Sequence, residues 1–187
     1  MRRSLNRDRA GGGVKGRSAG RRTAYLLLAL AIFVLDQASK AWAIDALRFS
    51  EDRNVISGLL TFEYAENPGI AFGQLQQGGA LGRWLLAALA LTAAVAVLVY
   101  LFRTVRTDDR TLGACALLLA GIVGNLVDRV RLGYVVDFIL VHLGSYHWPT
   151  FNVADASICA GALLLAYDIF LEGKQGTRSQ ESEVRSQ

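Results

Sequence analysis

The sequence predicts an all-α membrane protein with four transmembrane helices and a small β-rich extracytoplasmic segment. Composition is the first observation behind this fold class: the 187 residues are 52% hydrophobic and only 19% charged, against roughly 25% charged residues in an ordinary soluble domain. The second is distribution, because the apolar residues form four blocks and the charges lie between and outside them. The third is length, since a bilayer core of ~30 Å needs about 20 helical residues.

The four predicted transmembrane helices make up a membrane domain over residues 23–171. Their spans are about 24–44, 84–102, 112–130 and 153–171. The first block follows a basic start, as the apolar region of a cleaved signal peptide does. However, no small-residue cleavage pattern leads into a soluble domain, and three more apolar blocks follow. We therefore predict that the first block is a retained helix.

Positive charge predicts the orientation of the chain. Eight Lys and Arg lie in the tail 1–22, whose Gly and Ser residues predict disorder. A nucleic-acid-binding arm can have this composition, but here the tail runs directly into an apolar helix, so no nucleic-acid partner is expected. Fourteen Lys and Arg lie in the two tails (1–22 and 172–187) and the loop after the second helix, against five on the opposite side. Both termini are therefore predicted to be cytoplasmic.

Two segments are predicted to lie outside the membrane. In the segment 45–80, the alternation of Leu60–Thr61–Phe62–Glu63–Tyr64 predicts a half-buried strand. Gly and Pro residues divide the rest into short pieces, among them the run 66–73, which predicts a rigid loop. A small sheet on the outer membrane surface follows from this pattern. The second segment, 131–152, is interpreted as the connection between the third and fourth helices.

Six polar residues are predicted to gather at one depth, near the outer membrane interface. The first of them is thirteen residues into the first helix, or about 20 Å along it. The others lie at the outer ends of the third and fourth helices and in their connecting loop. Ionisable groups in a membrane cost about 2.5–3.5 kcal/mol each, so they must face one another or a water-filled pocket. The six are Asp36, Asn125, Asp128, Asp137, Asn152 and Asp155.

Asp137 and Asp155 are the candidate catalytic residues. Two carboxylates held close together share a proton, because both cannot ionise cheaply. One can then act as a base on water while the other polarises a peptide carbonyl. The alternative is that Asp155 only caps the fourth helix, where an acid suits the helix dipole, and that Asp137 is an ordinary loop residue. The spacing alone leaves both interpretations open.

The other charged positions have structural interpretations. Asn125, Asp128 and Arg129 share one helix face, and an ion pair between Asp128 and Arg129 is the favoured interpretation. Lys40, four residues after Asp36, is predicted to compensate its charge while extending outward to the membrane surface. Asp36 lies too deep for charge compensation to be its whole role. The two histidines do not have the spacing of a helical chelate, so no metal is expected.

Taken together, five ordered motifs resemble those of the lipoprotein signal peptidase (signal peptidase II) family. The resemblance covers residues 24 to about 171 and leaves only the tails outside it. The motifs are D-Q-A-S-K (36–40), N-P-G-I-A-F-G (67–73), G-N-L-V-D-R (124–129), V-V-D-F (135–138) and F-N-V-A-D (151–155).

The resemblance implies an aspartic endopeptidase of the bacterial inner membrane that needs no metal or organic cofactor. Its substrates would be prolipoproteins whose lipobox cysteine carries diacylglyceryl, cut just before that cysteine at the outer face. The enzyme would act as a monomer among membrane lipids, with a mobile element over its site. Asp137 and Asp155 would be the catalytic pair. Pocket or support residues would be Asp36, Asn67, Asn125, Asp128, Arg129 and Asn152.

Two other classes of protein can place carboxylates in a membrane. A small proton-coupled transporter would need polar groups at the midplane and a route to both sides, whereas the acids here favour one end. A non-catalytic scaffold would not need so many buried polar groups. The sequence therefore favours the peptidase over both alternatives.

Overall fold

The computed structural model describes residues 5–69, 80–104 and 108–185. This part of the chain contains four helices and a four-stranded antiparallel sheet, which confirms the predicted fold class. The helices are α1 (Leu5–Leu47), α2 (Ala80–Arg103), α3 (Asp109–Arg131) and α4 (Val153–Arg185). The strands are β1 (Arg53–Ile56), β2 (Leu60–Asn67), β3 (Val135–Leu143) and β4 (Tyr146–His147).

All four helices contain a segment long and apolar enough to cross a membrane. Many of their large apolar side chains point away from the protein, for example Leu89 (67% exposed) and Leu163 (71% exposed). Such side chains are stable in contact with lipid tails, where no water opposes them. The segments are Ala19–Leu47, Leu81–Arg103, Asp109–Arg131 and Val153–Leu171. Four membrane spans were predicted, and four are found in the described residues.

The first and last helices extend beyond the predicted membrane domain. No fold was predicted for residues 1–22, but α1 already begins at Leu5. The predicted fourth span, 153–171, coincides with the apolar segment Val153–Leu171, and α4 itself continues to Arg185. A helix that has already nucleated extends at the cost of fixing only one more residue for each new hydrogen bond. Extension is therefore easier than the composition of an isolated tail suggests.

Helix α3 lies at the centre of the bundle. In its most apolar window 61% of the residues are buried, against 17–22% in the other three spans. Small residues on α3 let its neighbours approach closely, as is common in membrane helix packing. A Cβ atom added at Gly121 would overlap the carbonyl oxygen of Ala154 on α4 and lie 2.7 Å from the Cγ1 atom of Ile158. The backbones of α3 and α4 are therefore in contact at this position.

Apolar side chains fill the bundle on the side away from the sheet. One cluster consists of Ala29, Ala116 and Ala120, at 2–5% exposure. The next consists of Leu101, Leu112 and Cys115, at 0–2% exposure. Both clusters bring α1 and α3 together, and the second also includes α2.

The sheet has the strand order β1-β2-β3-β4. The predicted strand 60–64 is confirmed as part of β2, which pairs with β3 so that Asn67 lies opposite Val135 and Ala65 opposite Asp137. The prediction was wrong about the second outer segment, because Asp137 lies on a strand and not in a loop. The run V-V-D-F-I-L-V-H-L is rich in β-branched and aromatic residues, which favour strands. Its single Asp does not interrupt pairing, because the strand's hydrogen bonds use only backbone atoms.

The sheet packs against the end of α1. Ala43 and Leu47 of α1 are buried against Val136 and Phe138 of β3. Edge-to-face contacts of the Trp42 ring extend this core, with centroid distances of 5.5 Å to Phe62 and 6.0 Å to Phe138. Because α1 also packs on α3, β3 is held at a fixed place above the end of the bundle.

Candidate active site

The structure brings the six predicted polar residues together where α1, α3, α4 and β3 meet. Asp36, Asn125, Asp128, Asp137 and Asn152 are all buried, with 0–6% of their surfaces exposed. Asp155 is partly exposed. Asn67, predicted from its motif, also reaches this place from the end of β2. Half of the predicted rigid loop 66–73, residues 70–73, lies outside the described residues.

Amide groups hold both candidate catalytic carboxylates. Asp137 accepts one hydrogen bond on each oxygen, from the Nδ2 atom of Asn67 at 2.8 Å and from that of Asn152 at 2.6 Å. Asp155 accepts one on Oδ1 from the Nδ2 atom of Asn125 at 2.7 Å. No other side chain among the described residues donates a hydrogen bond to either carboxyl group.

Two asparagines connect the carboxyl groups to each other. The Nδ2 atom of Asn152, which bonds Asp137, also lies 3.3 Å from the Oδ1 atom of Asn125. Asn125 in turn donates to Asp155, so a continuous hydrogen-bonded path links the two aspartates. The positions of the two aspartates are therefore not independent.

The helix-capping interpretation of Asp155 is confirmed, and its catalytic interpretation stays a prediction. Asn152 precedes the first residue of α4, and its Oδ1 atom accepts the backbone N–H of Asp155 at 2.9 Å. The Oδ2 atom of Asp155 lies 3.4 Å from the backbone nitrogen of Asn152. This reciprocal arrangement is a capping box. The cap fixes the Asp155 side chain and still leaves its Oδ1 atom facing Asn125.

Asp137 holds its proton to a higher pH than an ordinary aspartate does. Burial raises the pKa of its carboxyl group to about 6, and the charge of Asp155 acts in the same direction. The hydrogen bonds from Asn67 and Asn152 and the charge of Lys40 lower the pKa and partly offset this effect. A shared proton is what two close carboxylates need for acid–base chemistry.

Lys40 does not extend outward, so this prediction was wrong. Its side chain is 2% exposed, and its Nζ atom lies 3.0 Å from the Oδ2 atom of Asp36 and 2.9 Å from that of Asp128. The third contact of Nζ is with the Oδ1 atom of Asn125, at 2.9 Å. Two carboxylates from different helices hold the ammonium group inside, which a prediction from α1 alone does not reveal.

The same two carboxylates hold backbone close to the catalytic candidates. The Oδ1 atom of Asp36 accepts the N–H of Ala154 at 2.8 Å, and the Oδ2 atom of Asp128 accepts that of Val136 at 3.2 Å. Each of these N–H groups belongs to the residue immediately before a candidate aspartate. The amide of Gln37 joins the pair, with 3.1 Å to Asp36 and 3.1 Å to Asp128.

Arg129 does not form the ion pair predicted for it. Within the described residues, Asp128 pairs with Lys40, and no salt bridge joins it to Arg129. The Nη1 atom of Arg129 instead lies 3.3 Å from the carbonyl oxygen of Asn125. Its Nε atom is buried and has no hydrogen-bond partner among the described residues. The Nε donor of Arg129 is therefore not used by any residue that the structure describes.

A cavity of about 300 Å³ lies beside this site. One wall is apolar and comes from α2, while Asn125, Arg129 and Asp155 form a polar end. Its lining residues are Leu86, Leu89, Ala90, Ala93, Ile122, Asn125, Arg129, Asp155 and Ile158. A space of this size and lining suits a few apolar side chains next to a polar group.

The histidines lie away from this network, on the β3–β4 hairpin. Their rings pack edge to face at 4.6 Å, and the Nε2 atom of His142 lies 2.9 Å from the Oγ1 atom of Thr61. Across the residues that the structure describes, no group of three or more His, Cys, Asp or Glu side chains is placed to hold a metal ion.

Comparison with known proteins gives consistent matches. The family described as signal peptidase (SPase) II matches residues 28–171. Lipoprotein signal peptidase of Cellvibrio japonicus is 40% identical over 147 residues, which are 79% of this chain and 86% of that one. The Pseudomonas fluorescens protein of the same name is 42% identical over 156 residues, with 83% and 92% covered. A bacterial membrane enzyme structure solved by the in meso method matches with a TM-score of 0.73 and 26% identity, over 82% of this chain and 91% of that one.

Proposed function

This chain belongs to the signal peptidase II family, and on that basis we propose that Asp137 and Asp155 are its catalytic pair. The protein is an aspartic peptidase with several spans in the bacterial inner membrane, and it removes the signal peptide from prolipoproteins. We further propose that it cuts immediately before a cysteine that carries diacylglyceryl. One chain contributes both aspartates and the residues that hold them, which supports action as a monomer.

The amide path between the two aspartates is the observation that carries this proposal. Asn152 and Asn125 hold the carboxyl groups from opposite sides and bond each other. A purely structural pair of acids would use its lone pairs on backbone or cations, as Asp36 and Asp128 do. Among the described residues, neither Asp137 nor Asp155 pairs with a cation as Asp36 and Asp128 do, and Asp155 lines a cavity.

The arrangement supports peptide hydrolysis by water. Because burial raises the pKa of Asp137 to about 6, Asp137 carries the proton of the pair and donates it to the carbonyl oxygen. Asp155 removes a proton from water, whose oxygen attacks the carbonyl carbon and gives a tetrahedral diol. Asp155 then protonates the leaving nitrogen while the diol returns a proton to Asp137 and the C–N bond breaks. The pair ends with one proton, as it began.

An assay with a diacylglyceryl-modified precursor in detergent tests both the position of the cleaved bond and the need for a protonated Asp137. We expect mass spectrometry to place the new N-terminus at the modified cysteine. Asp137 loses its proton as pH rises through its pKa of about 6, so kcat/KM should fall above that pH. The fall in kcat should come at higher pH than the fall in kcat/KM. Bound substrate excludes further water from the site, and this added burial raises the pKa of Asp137 in the enzyme–substrate complex. Cleavage elsewhere, or a flat kcat/KM profile through this pKa, would contradict the proposal.

We propose that both termini are cytoplasmic and that the site faces the outer side. The support is the excess of Lys and Arg in the tails and in the loop between α2 and α3. Protease treatment of sealed vesicles checks this orientation through a tag on the C-terminus. The tag should be lost from inside-out vesicles and protected in right-side-out ones, and the reverse pattern would invert the assignment.

A further inference from the structure

We propose that Lys40 is a positioning residue of this active site, which acts through Asn125 to hold the Asp155 carboxylate in its working orientation. The inference rests on the proposed function of Asp155 and adds a residue that the acid–base chemistry itself does not require. Lys40 does not contact the space where a substrate would bind. Its effect has to pass through another side chain.

The hydrogen-bonding capacity of Lys40 leaves Asn125 only one orientation. An ammonium group has three N–H donors and no acceptor, and its partners are Asp36, Asp128 and the Oδ1 atom of Asn125. The amide oxygen of Asn125 must therefore face Lys40. The Nδ2 atom then points the opposite way, where it lies 2.7 Å from the Oδ1 atom of Asp155.

Without Lys40 the Asn125 amide loses the charged partner of its oxygen, and only Asp155 and Asn152 still favour the observed orientation. Rotating the amide by half a turn would bring its oxygen against the Asp155 carboxylate, which is repulsive because both groups only accept. The donor from Asn152 also meets the Asn125 oxygen, at 3.3 Å, but this contact is long for a hydrogen bond. Lys40, with its short contact and full charge, is the stronger of the two constraints.

The position of Lys40 connects it to the second aspartate as well. Its charge lowers the pKa of Asp137. Lys40 pairs with Asp36 on α1 and Asp128 on α3, and its charge also acts on Asp137 of β3, while the charge of Arg129 on α3 faces Asp155, Asp137 and Asp128. Lys40 can therefore fix the positions of Asp137 and Asp155 relative to each other. Its side chain is only 2% exposed, so water does not compete for its N–H donors.

A double-mutant cycle separates positioning from plain stability. Lys40→Met keeps the unbranched stem and removes charge and donors, and Asn125→Ala removes the amide. We expect Lys40→Met to lower kcat by roughly 10- to 100-fold with KM little changed, as for a misplaced charge-assisted hydrogen bond. In the Asn125→Ala background the same substitution should lower kcat by less than about 3-fold, because the group it acts through is already gone.

The controls make each outcome decisive. Thr111→Val removes a buried hydrogen bond to Asp168 at the other end of the bundle, so its effect on kcat per folded molecule should be small and should not depend on Asn125. Lys40→Arg keeps charge and donors and should recover part of kcat. If Lys40→Met does not fold, Lys40→Gln replaces it in the cycle, since Gln keeps two N–H donors.

Two results would overturn the inference. One is that the losses multiply, so that Lys40→Met lowers kcat as much in the Asn125→Ala background as in the parent enzyme. The other is an unchanged kcat per folded molecule in the Lys40 variant. Asp155→Asn is assayed in parallel. If it stays active, the proposed catalytic pair fails whatever the cycle shows. If it is inactive while the Lys40 effect is independent of Asn125, only the positioning role fails.

Discussion

Asp137→Asn and Asp155→Asn are each expected to lower kcat by at least about 10³-fold, and the double variant to be no worse than either single one. The two carboxyl groups act in one transition state, and residues that work as a unit give strongly non-additive losses. Neither Asn can take up or deliver the proton. Product formation per folded molecule, with a diacylglyceryl-modified precursor at saturating concentration, measures the effect.

Asp137→Asn carries an added penalty that the structure makes visible. Both oxygens of Asp137 accept amide N–H groups, from Asn67 and Asn152. An Asn at this position turns its own NH₂ group against one of these donors. The oxygen of Asn67 already accepts from Gly69, and that of Asn152 from Asp155, so neither amide can rotate without losing a bond.

Asp168→Asn is the matched control for the pair. Asp168 is also a buried acid of α4, thirteen residues beyond Asp155 or about 20 Å along the helix. The same chemical change there should leave kcat within a few-fold of the parent enzyme. Near-normal activity in either of the two dyad variants would assign the chemistry to another carboxylate, with Asp36 and Asp128 next to be tested.

Gly121→Ala is expected to destabilise the folded protein strongly and to reduce its activity. The added methyl group would overlap the carbonyl oxygen of Ala154 and approach Ile158. Because this carbonyl oxygen belongs to the backbone of α4, rotating a side chain cannot relieve the overlap. The two helices must therefore separate. Overpacking of this kind typically costs about 1–3 kcal/mol of unfolding free energy. Ala154 directly precedes Asp155, so the separation also shifts a carboxyl group of the proposed catalytic pair.

Gly113→Ala on the same helix provides the comparison. Its new methyl group would meet Leu164 and Tyr25 at 3.6 and 3.7 Å, which are ordinary contact distances. It should unfold at or near the temperature of the parent protein, and the gain in helix propensity acts in its favour. Thermal unfolding in detergent, followed with the cleavage assay, compares the two variants. Equal unfolding temperatures would show that α3 and α4 are not in tight backbone contact.

The membrane fold could be predicted from the sequence because hydrophobicity alone decides which segments are stable in lipid. Depth along each helix then predicted that the polar residues would meet, and the structure places them together. Strand β3 was less predictable, since an apolar run of nine residues around Asp137 is compatible with a strand or with a buried connection. Only its pairing with β2, beginning at Asn67, makes it a strand.

Lys40 shows what a one-dimensional pattern leaves out. Four residues after Asp36, it has the spacing of a simple ion pair, and a lysine stem is long enough to reach the membrane surface. Its burial depends on Asp128 and Asn125, which are more than eighty residues away in sequence. The same holds for Arg129, whose adjacent acid is already engaged by Lys40. Such competition between partners is set by tertiary structure.

The apolar clusters at the other end of the bundle have a consequence for the cell's energy supply. Hydrolysis requires water at the aspartates, and an aqueous path through the membrane would let protons flow back and drain the gradient that drives ATP synthesis. Ala29, Ala116 and Ala120, followed by Leu101 and Leu112, close the bundle below the site with almost no exposed surface. These apolar clusters separate the aspartates from the other end of the bundle, so water at the site does not need a polar path through the whole membrane domain.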